Sequence, residues 1–379
     1  MKDHSLEVHG CHTYDATGAI SPSICLSATF RHPRFGESTG YDYGRVANPT
    51  RESLEKTVAL LERGGRSWAL SSGMAAVQLV FSLLSAGDHV LMSEDLYGGT
   101  VRLAEEVFAG YGITFEYVDV RDLALVGKRM RSETKLVFIE TPSNPMMQIA
   151  DIAALSALAH ENGALLAVDN TFLSPHFQKP LTLGADIVLH SGTKYLCGHN
   201  DVIAGFLVLK DAASAQAKRI ELLAKSAGPN LSALDSWLML RSIKTLGVRV
   251  ERQAENALAI ARWLGTLPEV TEVLYPGLAD HPGYALQQKQ ASGAGGMISF
   301  KVRSAEIAKE ALGRLHLIAF AESLGGVETL LTYPIAQTHA EMPAALLKRT
   351  GLDDKLLRLS VGIEDVEDLK ADLQQALQG

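Results

Sequence analysis

Short apolar runs alternate with helical patterns between residues 66 and 209, and this alternation restricts the possible folds more than any other feature. Runs of this length rich in Val, Ile and Leu are typical of buried strands. The predicted strands are Trp68–Leu70, His89–Met92, Thr114–Val118, Leu136–Ile139, Leu165–Val168, Ile187–Leu189 and Gly205–Leu209. Helical patterns separate most of these strands. The alternation predicts an α/β fold with a mostly parallel sheet, flanking helices and right-handed crossovers.

A polar residue follows five of these predicted strands. In an open parallel sheet, ligand sites lie beyond the carboxyl ends of the strands. Side chains that are far apart in sequence can therefore converge at one edge of the sheet. The five candidates are Ser72, Tyr97, Asn144, Asp169 and Lys194.

The length of 379 residues predicts two domains, because single hydrophobic cores stop growing at about 250–300 residues. Residues 1–46 show little periodicity and are expected to form an extended N-terminal arm. Residues 47–240 contain the alternating pattern and are expected to form the large domain. Residues 241–379 are expected to form a smaller α+β domain, which ends in a helix with an apolar face.

Composition excludes several classes of protein. The net charge of −8, with no basic tract, argues against a nucleic-acid surface, and no apolar run is long enough to span a membrane. Three scattered cysteines, Cys11, Cys25 and Cys197, do not form a disulfide framework, so a cytoplasmic location is expected. His9, Cys11 and His12 lack partner ligands at zinc-type spacing, so no metal site is predicted there.

The segment from Asp186 to Asn200 brings a single lysine, Lys194, into a run of small and polar residues after a strand. Desolvation disfavours an ammonium group and exposes the amine as a nucleophile, so Lys194 is a candidate for covalent catalysis. The ordinary alternative is a surface lysine in a turn. The polar residues that follow the other strands favour the catalytic interpretation.

An aldehyde cofactor with a pyridine ring and a phosphate fits these residues, which points to pyridoxal 5′-phosphate (PLP). Lys194 would bond to the aldehyde, Asp169 would keep the ring nitrogen protonated, and Tyr97 would stack on the ring. The phosphate needs N–H donors at a helix start and nearby hydroxyl groups. The candidates for its site are Ser72, Gly73, Met74, Ser191 and Thr193.

Two further features involve arginine side chains that could bind an anionic group. Arg358 has apolar neighbours on both sides, so it forms either an interior ion pair or a clamp for a substrate carboxylate. Tyr43 and Arg45 lie in the predicted arm without local partners. Their side chains can donate hydrogen bonds to a phosphate group, so the arm is expected to extend from its own domain and bind one.

The sequence resembles the Cys/Met-metabolism family of PLP enzymes, which have the aminotransferase-like fold type I. The resemblance rests on the lysine motif SGTKYL and on the sequence motifs SSGMAA, DLYGGT, ETPSNP, VDNTF, AESLGG, THA and RLSVGIED. These motifs are distributed over nearly the whole chain. One departure is Gly192, where alanine is common in the family.

The resemblance implies a role for each candidate residue. Lys194 carries the cofactor and moves protons, and Tyr97 assists substrate deprotonation. Tyr43 and Arg45 are implied to hold the phosphate of the neighbouring subunit, in a homotetramer of two active dimers. The residues implied to bind the cofactor are Lys194, Asp169, Tyr97, Gly73, Met74, Ser191, Thr193, Tyr43, Arg45 and Asn144. Those implied to position the substrate are Arg358, Ser323 and Asn144.

Within this family, the sequence favours γ-replacement on an O-acyl-L-homoserine by L-cysteine, which gives L-cystathionine. Sulfide is a second possible donor, as in O-acetylhomoserine thiol-lyases. Glu322 and Asp42 offer carboxylates to a distal ammonium, and Arg102 either binds the activated ester or faces solvent. Gly99 stands where methionine γ-lyases usually carry cysteine, and the residues around Ser323 are not the aromatic ones of typical bacterial β-lyases.

Two alternatives remain. The first is γ-elimination of cystathionine to cysteine, 2-oxobutyrate and ammonia, as in a cystathionine γ-lyase. The second is a non-catalytic regulator that keeps the fold without the cofactor. A regulator of that kind is expected to have lost Lys194 or Asp169, and the sequence has both.

Overall fold

The computed structural model describes residues 1–11 and 16–378. The N-terminal segment differs from the predicted extended arm, because it begins with a helix, α1 (Asp3–His9). This helix packs through Leu6, which is buried, so it is held by contacts with distant elements rather than by a periodic pattern of its own. His12, from the sequence cluster near the N-terminus, lies outside the described residues.

The larger sheet has seven strands and contains every strand predicted between residues 66 and 209. Its order is β1-β7-β6-β5-β4-β2-β3, and β7 runs antiparallel to both of its neighbours while the other pairs are parallel. The strands are β1 (Arg66–Leu70), β2 (His89–Ser93), β3 (Thr114–Val118), β4 (Thr134–Glu140), β5 (Leu165–Asp169), β6 (Ile187–Ser191) and β7 (Gly205–Leu209).

Helices cover both faces of this sheet. Side chains alternate along each strand, so that in β4 Val137 and Ile139 enter one apolar core while Leu136 and Phe138 enter the other. The helices of this part of the chain are α2 (Pro49–Leu61), α3 (Gly73–Phe81), α4 (Gly98–Arg102), α5 (Leu123–Arg129), α6 (Ile152–Glu161), α7 (Ser174–Phe177), α8 (Ala215–Ala227) and α9 (Ala233–Ile243).

Side-chain caps set where several of these helices begin. The Asn48 side chain accepts hydrogen bonds from the amides of Thr50 and Arg51, and Pro49 occupies the first helical position of α2. The Ser72 hydroxyl accepts from the Ala75 amide and starts α3 directly after β1. This cap fixes the start of α3 at the edge of the sheet where the ligand site was predicted.

A smaller five-stranded sheet forms in the C-terminal part, with the order β10-β11-β12-β9-β8. Its strands are β8 (Val270–Leu274), β9 (Met297–Val302), β10 (Ala319–Phe320), β11 (Leu330–Thr332) and β12 (Leu356–Ser360). The helices are α10 (Leu246–Leu264), α11 (Tyr284–Gln290), α12 (Ala305–Arg314), α13 (Ala344–Thr350) and α14 (Val366–Gln378). A separate apolar core lies between this sheet and α10, α12 and α14.

The helical connector predicted from Leu238 to Leu264, with a break near Gly247, is two helices. The break comes at residues 244–245, between α9 and α10, and Gly247 lies inside the first turn of α10. The proposed boundary at residue 240 between the two domains stays a prediction. None of the helices in the described parts of the chain combines the length and apolar character that a membrane crossing needs.

Candidate active site

A cavity of about 280 Å³ opens where the carboxyl ends of the larger sheet's strands meet the smaller sheet. The structure brings twelve of the predicted site residues to its wall. They are Ser72, Gly73, Met74, Tyr97, Asn144, Asp169, Ser191, Thr193, Lys194, Glu322, Ser323 and Arg358. The five residues predicted to follow different strands are all among them, because β1, β2, β4, β5 and β6 end at this edge.

Lys194 lies just after β6, and its Nζ donates a hydrogen bond to Ser323 Oγ at 2.7 Å. Burial lowers the pKa of Lys194 to about 8, and the nearby positive charge of Arg358 acts in the same direction. Glu322 opposes this shift. A substantial fraction of the amine is therefore neutral near physiological pH, which a nucleophilic lysine requires.

Asp169 ends β5, and its carboxylate accepts a hydrogen bond from the Thr171 amide at 2.9 Å. Burial raises the pKa of Asp169, while the hydrogen bonds from Thr171 and the charge of His190 lower it. A cationic ring nitrogen beside this carboxylate would supply the positive partner that a buried carboxylate needs.

The start of α3 forms a cradle suited to a phosphate. A Cβ atom on Gly73 would lie 2.8 Å from Ser191 Cβ, so only glycine allows the helix to begin this close to β6. The amides of Gly73 and Met74 make no hydrogen bond to the rest of the described chain, and the hydroxyls of Ser191 and Thr193 line the same cavity. These donors at a helix N-terminus fit an anionic group.

Arg358, on the interior strand β12, is 2% exposed, and its guanidinium lines the cavity. Its Nη1 donates to Asn144 Oδ1 at 2.7 Å and its Nη2 donates to the carbonyl of Ser323 at 3.3 Å. No ion pair to Arg358 forms within residues 1–11 and 16–378, and Nε has no partner there. Of the two interpretations of Arg358, the structure therefore favours a clamp that is open to a carboxylate.

Ser323 joins the lysine and the arginine. Its φ of 95° is in the left-handed region, which costs a non-glycine residue on the order of 1–3 kcal/mol. The contacts with Lys194 and Arg358 hold it there, together with the adjacent hydrogen bond from the Gly325 amide to Ser360 Oγ. Strain of this kind is concentrated at functional sites.

Tyr97 precedes α4 and is partly exposed at the cavity. Its amide donates to Glu140 Oε2 at 3.0 Å. A Cβ atom on Gly99 would lie 2.5 Å from Tyr97 Cε1, so a side chain at position 99 would displace the ring. The absence of a side chain at Gly99 thus sets where the predicted stacking ring lies.

Three site residues were missed by the sequence analysis. Glu140 and His339 act through partners far away in the chain, and Thr171 holds Asp169 through its backbone amide, which any residue but proline supplies. Glu140 ends β4 at the cavity wall, and burial together with Asp169 raises its pKa well above the ordinary value. Thr171 holds Asp169, as described above. His339 Nε2 donates to the Asn144 carbonyl at 3.0 Å, and burial lowers its pKa to about 4, so a neutral ring orients the Asn144 segment.

Four predicted residues lie outside this cavity. Arg45 hydrogen-bonds the carbonyl of Lys225 and stacks on Tyr43, and Asp42 accepts from Ser38 Oγ. Arg102 pairs with Glu341 at the surface, with 52% of its side chain exposed. A substrate contact from Arg102 would require this pair to open, and a contact from the arm would have to be made with another chain.

The chain is similar to known proteins over its full length. Residues 4–378 match the family described as Cys/Met metabolism PLP-dependent enzyme. A Bacillus subtilis cystathionine gamma-lyase is 46% identical over 379 residues, which is 100% of both chains. A cystathionine beta-lyase of that organism is 46% identical and covers 96% of this chain and 93% of its own. Its cystathionine gamma-synthase/O-acetylhomoserine (thiol)-lyase is also 46% identical, with 96% and 92% covered.

A solved structure agrees with these matches. Cystathionine gamma-lyase from Lactobacillus plantarum, complexed with L-serine, superposes with a TM-score of 0.95 at 42% identity. The alignment covers 99% of this chain and 98% of that one. Relatives with three different activities are equally similar, so overall identity does not separate γ-synthase, γ-lyase and β-lyase.

Proposed function

Because the chain belongs to the Cys/Met metabolism family of PLP-dependent enzymes, we propose that it catalyses γ-replacement on an O-acyl-L-homoserine. L-cysteine is the proposed sulfur donor and L-cystathionine the product, with sulfide as a possible second donor. The fold is that of the type I PLP enzymes, and PLP is the cofactor. Membership of an enzyme family sets aside the regulator alternative.

The residues at the cavity wall fit the cofactor. When bound, PLP supplies an electron sink that stabilises negative charge on the substrate carbons. We propose that Lys194 holds its aldehyde and Asp169 its ring nitrogen, with Tyr97 against the ring. The cradle formed by Gly73, Met74, Ser191 and Thr193 would hold the phosphate. The unpaired amides at the start of α3 and the close approach at Gly73 support this assignment.

The charges at the cavity support an amino-acid substrate with a second amino acid beside it. Arg358 would bind the α-carboxylate of the homoserine ester, with Asn144 fixing the orientation of its guanidinium. Glu322 is a carboxylate at the same cavity, close enough to influence both Lys194 and Arg358. The presence of Arg358 and Glu322 at one cavity is the observation that carries the proposal, because Arg358 can bind a carboxylate while Glu322 binds the ammonium of the incoming cysteine.

Lys194 would move the protons. Its amine, neutral above about pH 8, would accept the proton from Cα and then return protons to the carbon chain. Ser323 Oγ, at 2.7 Å, would keep Nζ directed at the reacting carbons. Loss of the acyl group from Cγ and addition of the thiolate at the same carbon complete the exchange, with no net oxidation.

A second candidate is γ-elimination of cystathionine, because relatives of equal similarity include a cystathionine gamma-lyase. Both reactions need the same clamp and the same proton carrier. Three sequence segments nevertheless favour the γ-synthase activity, because they resemble segments of bacterial γ-synthases and thiol-lyases. They are GESTGYDYGR, GHNDVIAG and FAESLGGVETLLTYP.

A competing-substrate assay tests the proposal. Purified holoenzyme is given O-acetyl- or O-succinyl-homoserine with cysteine, and in parallel cystathionine alone, with products identified by mass spectrometry. The proposal expects cystathionine as the main product of the first mixture. Turnover of cystathionine alone to 2-oxobutyrate would favour the γ-lyase, and its conversion to pyruvate and homocysteine would reveal a β-lyase.

We further propose that the active enzyme is a homotetramer of two dimers, in which the arm completes the neighbouring subunit's site. Tyr43 and Arg45 lie outside the cavity of their own chain. The arm also exposes large apolar side chains, including Ile20, Leu26 and Phe35. Exposed apolar residues grouped on one segment are typical of a surface that another chain covers.

A further inference from the structure

A cluster of two imidazoles and two carboxylates lies away from the cavity, where α1, α7 and α10 meet. It consists of His4 and Glu7 on α1, His176 on α7 and Glu251 on α10. One donor atom from each of His4, Glu7 and His176 lies within 4.8 Å of the other two. It is the one such group of three found in residues 1–11 and 16–378.

The four side chains face one another through specific atoms. His176 Nδ1 lies 2.7 Å from Glu7 Oε1, and His4 Nδ1 lies 3.7 Å from Glu7 Oε2. On the other side of the two rings, His176 Nε2 lies 3.4 Å and His4 Nε2 lies 3.5 Å from Glu251 Oε1. A hydrogen on each Nε2, directed at Glu251, leaves the Nδ1 lone pairs of neutral rings facing Glu7. Zinc bonds of about 2.0–2.2 Å place neighbouring tetrahedral donors about 3.3–3.6 Å apart, which lies between the two separations of Nδ1 from Glu7.

The charge of the cluster also calls for a cation. Glu7 is 4% exposed, and buried carboxylates are normally paired with a positive group. Neither Glu7 nor Glu251 pairs with a lysine or arginine anywhere in the part of the chain that the structure covers. The nearby cations are engaged elsewhere: Lys179 and Arg63 pair with Asp3, and Arg249, whose charge Glu7 also influences, donates to the carbonyls of Tyr195 and Ser242.

The surrounding backbone is shaped to admit the cluster. The Gly247 amide donates to Glu7 Oε2 at 3.2 Å. A Cβ atom at position 247 would lie 2.6 Å from Glu7 Oε2 and 2.8 Å from His4 Nδ1, so a side chain there would fill the site. Glycine at this position therefore keeps the space between α1 and α10 open.

From these contacts we propose that the cluster binds a divalent transition-metal ion of the zinc class. His4, His176 and Glu7, whose donor atoms lie within 4.8 Å of one another, are its protein ligands, through the Nδ1 atoms that face Glu7, and a water molecule takes the fourth position. Glu251 lies against Nε2 of both rings and orients them, as carboxylates do at many zinc sites. The ion fastens α1 to α7, which begins two residues after the cavity residue Phe172.

The test is zinc binding by the holoenzyme after treatment with a chelator. Competition against a chromophoric chelator is expected to show one tight Zn²⁺ site per chain. His4→Gln and His176→Gln each remove a ligand and lower the affinity by roughly 100-fold or more, whereas Glu251→Gln lowers it by about 10–100-fold. Co²⁺ bound in place of Zn²⁺ is expected to give the intense visible bands of a tetrahedral site.

The control is His160→Gln, because His160 contacts a single carboxylate, Asp186, at 2.8 Å and belongs to no larger group. This variant is expected to bind Zn²⁺ like the wild type. His4 is exposed, so His4→Gln is expected to keep the wild-type circular dichroism and PLP absorption. Absence of a stoichiometric site, or equal Zn²⁺ affinity in the wild type, His4→Gln and His176→Gln, would overturn the proposal.

Discussion

At the scale of single residues, the account rests on a few side chains whose environment differs from that of ordinary surface groups. Lys194 carries a lowered pKa, Arg358 is buried without a carboxylate partner among the described residues, and Ser323 is strained between them. Each of these three features lowers the stability of the folded protein when no ligand is bound. A bound substrate and cofactor would use all three, so they are best understood together.

The lowered pKa of Lys194 predicts how PLP uptake depends on pH. Only the neutral amine attacks an aldehyde, so the rate of PLP capture by the apoprotein should rise with pH around a midpoint near 8. Nα-acetyl-lysine, measured alongside by stopped-flow absorbance, should show a midpoint near 10.4. Glu322→Gln should move the protein's midpoint to lower pH, because Glu322 favours the ammonium form. A midpoint that coincides with that of the free amine would contradict the burial of Lys194.

Substitution of Arg358 tests the carboxylate clamp. Arg358→Lys keeps the charge but loses the forked donors, which removes hydrogen bonds worth about 1.5–3 kcal/mol, so KM should rise roughly 10–100-fold. PLP content, measured by absorbance, should be unchanged. Arg314→Lys is the control, since Arg314 pairs with Glu310 on the surface of α12, away from the cavity, and should alter KM less than about threefold. Equal effects of the two variants would show that Arg358 does not contact the substrate.

At the scale of elements, the site depends on helices and strands that end at one edge of the larger sheet. The start of α3 and the end of β6 approach so closely that Gly73 has no room for a side chain. The cap at Ser72 fixes this start, and β5 places Asp169 opposite it. The geometry of the phosphate cradle is therefore a property of backbone placement more than of side-chain choice.

Gly73→Ala should weaken PLP binding without unfolding the protein. The new Cβ would lie 2.8 Å from Ser191 Cβ, so α3 or β6 must shift, and we expect a loss of PLP affinity of roughly tenfold or more, equivalent to about 1.4 kcal/mol. Gly127→Ala on α5 is the control, because its Cβ meets only Leu158 Cδ1 at 3.8 Å. It should stabilise the protein by about 0.4–1 kcal/mol and leave PLP binding unchanged. Equal PLP affinity in both variants would argue against a phosphate at α3.

The sequence predicted the elements with a strong local signal. The apolar runs located every strand of the larger sheet, and the residue after each of five strands lies in the cavity. It did not predict α1, whose seven residues are too few for a periodic pattern, or the antiparallel direction of β7, which has no local signature. Glu140 and His339 were missed because their partners are 43 and 195 residues away along the chain.

At the scale of the whole molecule, one chain provides the lysine, the ring partner and the carboxylate clamp, but leaves Tyr43 and Arg45 outside its cavity. Within one chain Arg45 contacts Tyr43 and the carbonyl of Lys225, so a role for these two residues at a cofactor site requires a second chain. The proposed crossing of the arm between subunits therefore makes a prediction about mixed oligomers rather than about one chain.

Mixed oligomers should recover activity if the arm crosses. Arg45→Ala should lose PLP affinity and Lys194→Ala should lose turnover. Unfolding and refolding the two variants together should give hybrids with more activity than either parent. In a hybrid, the subunit that keeps Lys194 receives an intact Arg45 from the other subunit. Lys194→Ala mixed with Asp169→Asn is the control, since both residues line the cavity of one chain, and should recover nothing. Lack of recovery in verified hybrids would place Arg45 in its own subunit's site.

The central claim is that Lys194 is the residue that carries PLP, and mapping the lysine after borohydride reduction tests it most directly. Reduction fixes the cofactor to its amine, and mass spectrometry of the digested protein then locates the added pyridoxyl group. The account predicts one such group per chain, on the peptide that contains Lys194. A pyridoxyl group on any other lysine, with Lys194 unmodified, would contradict it.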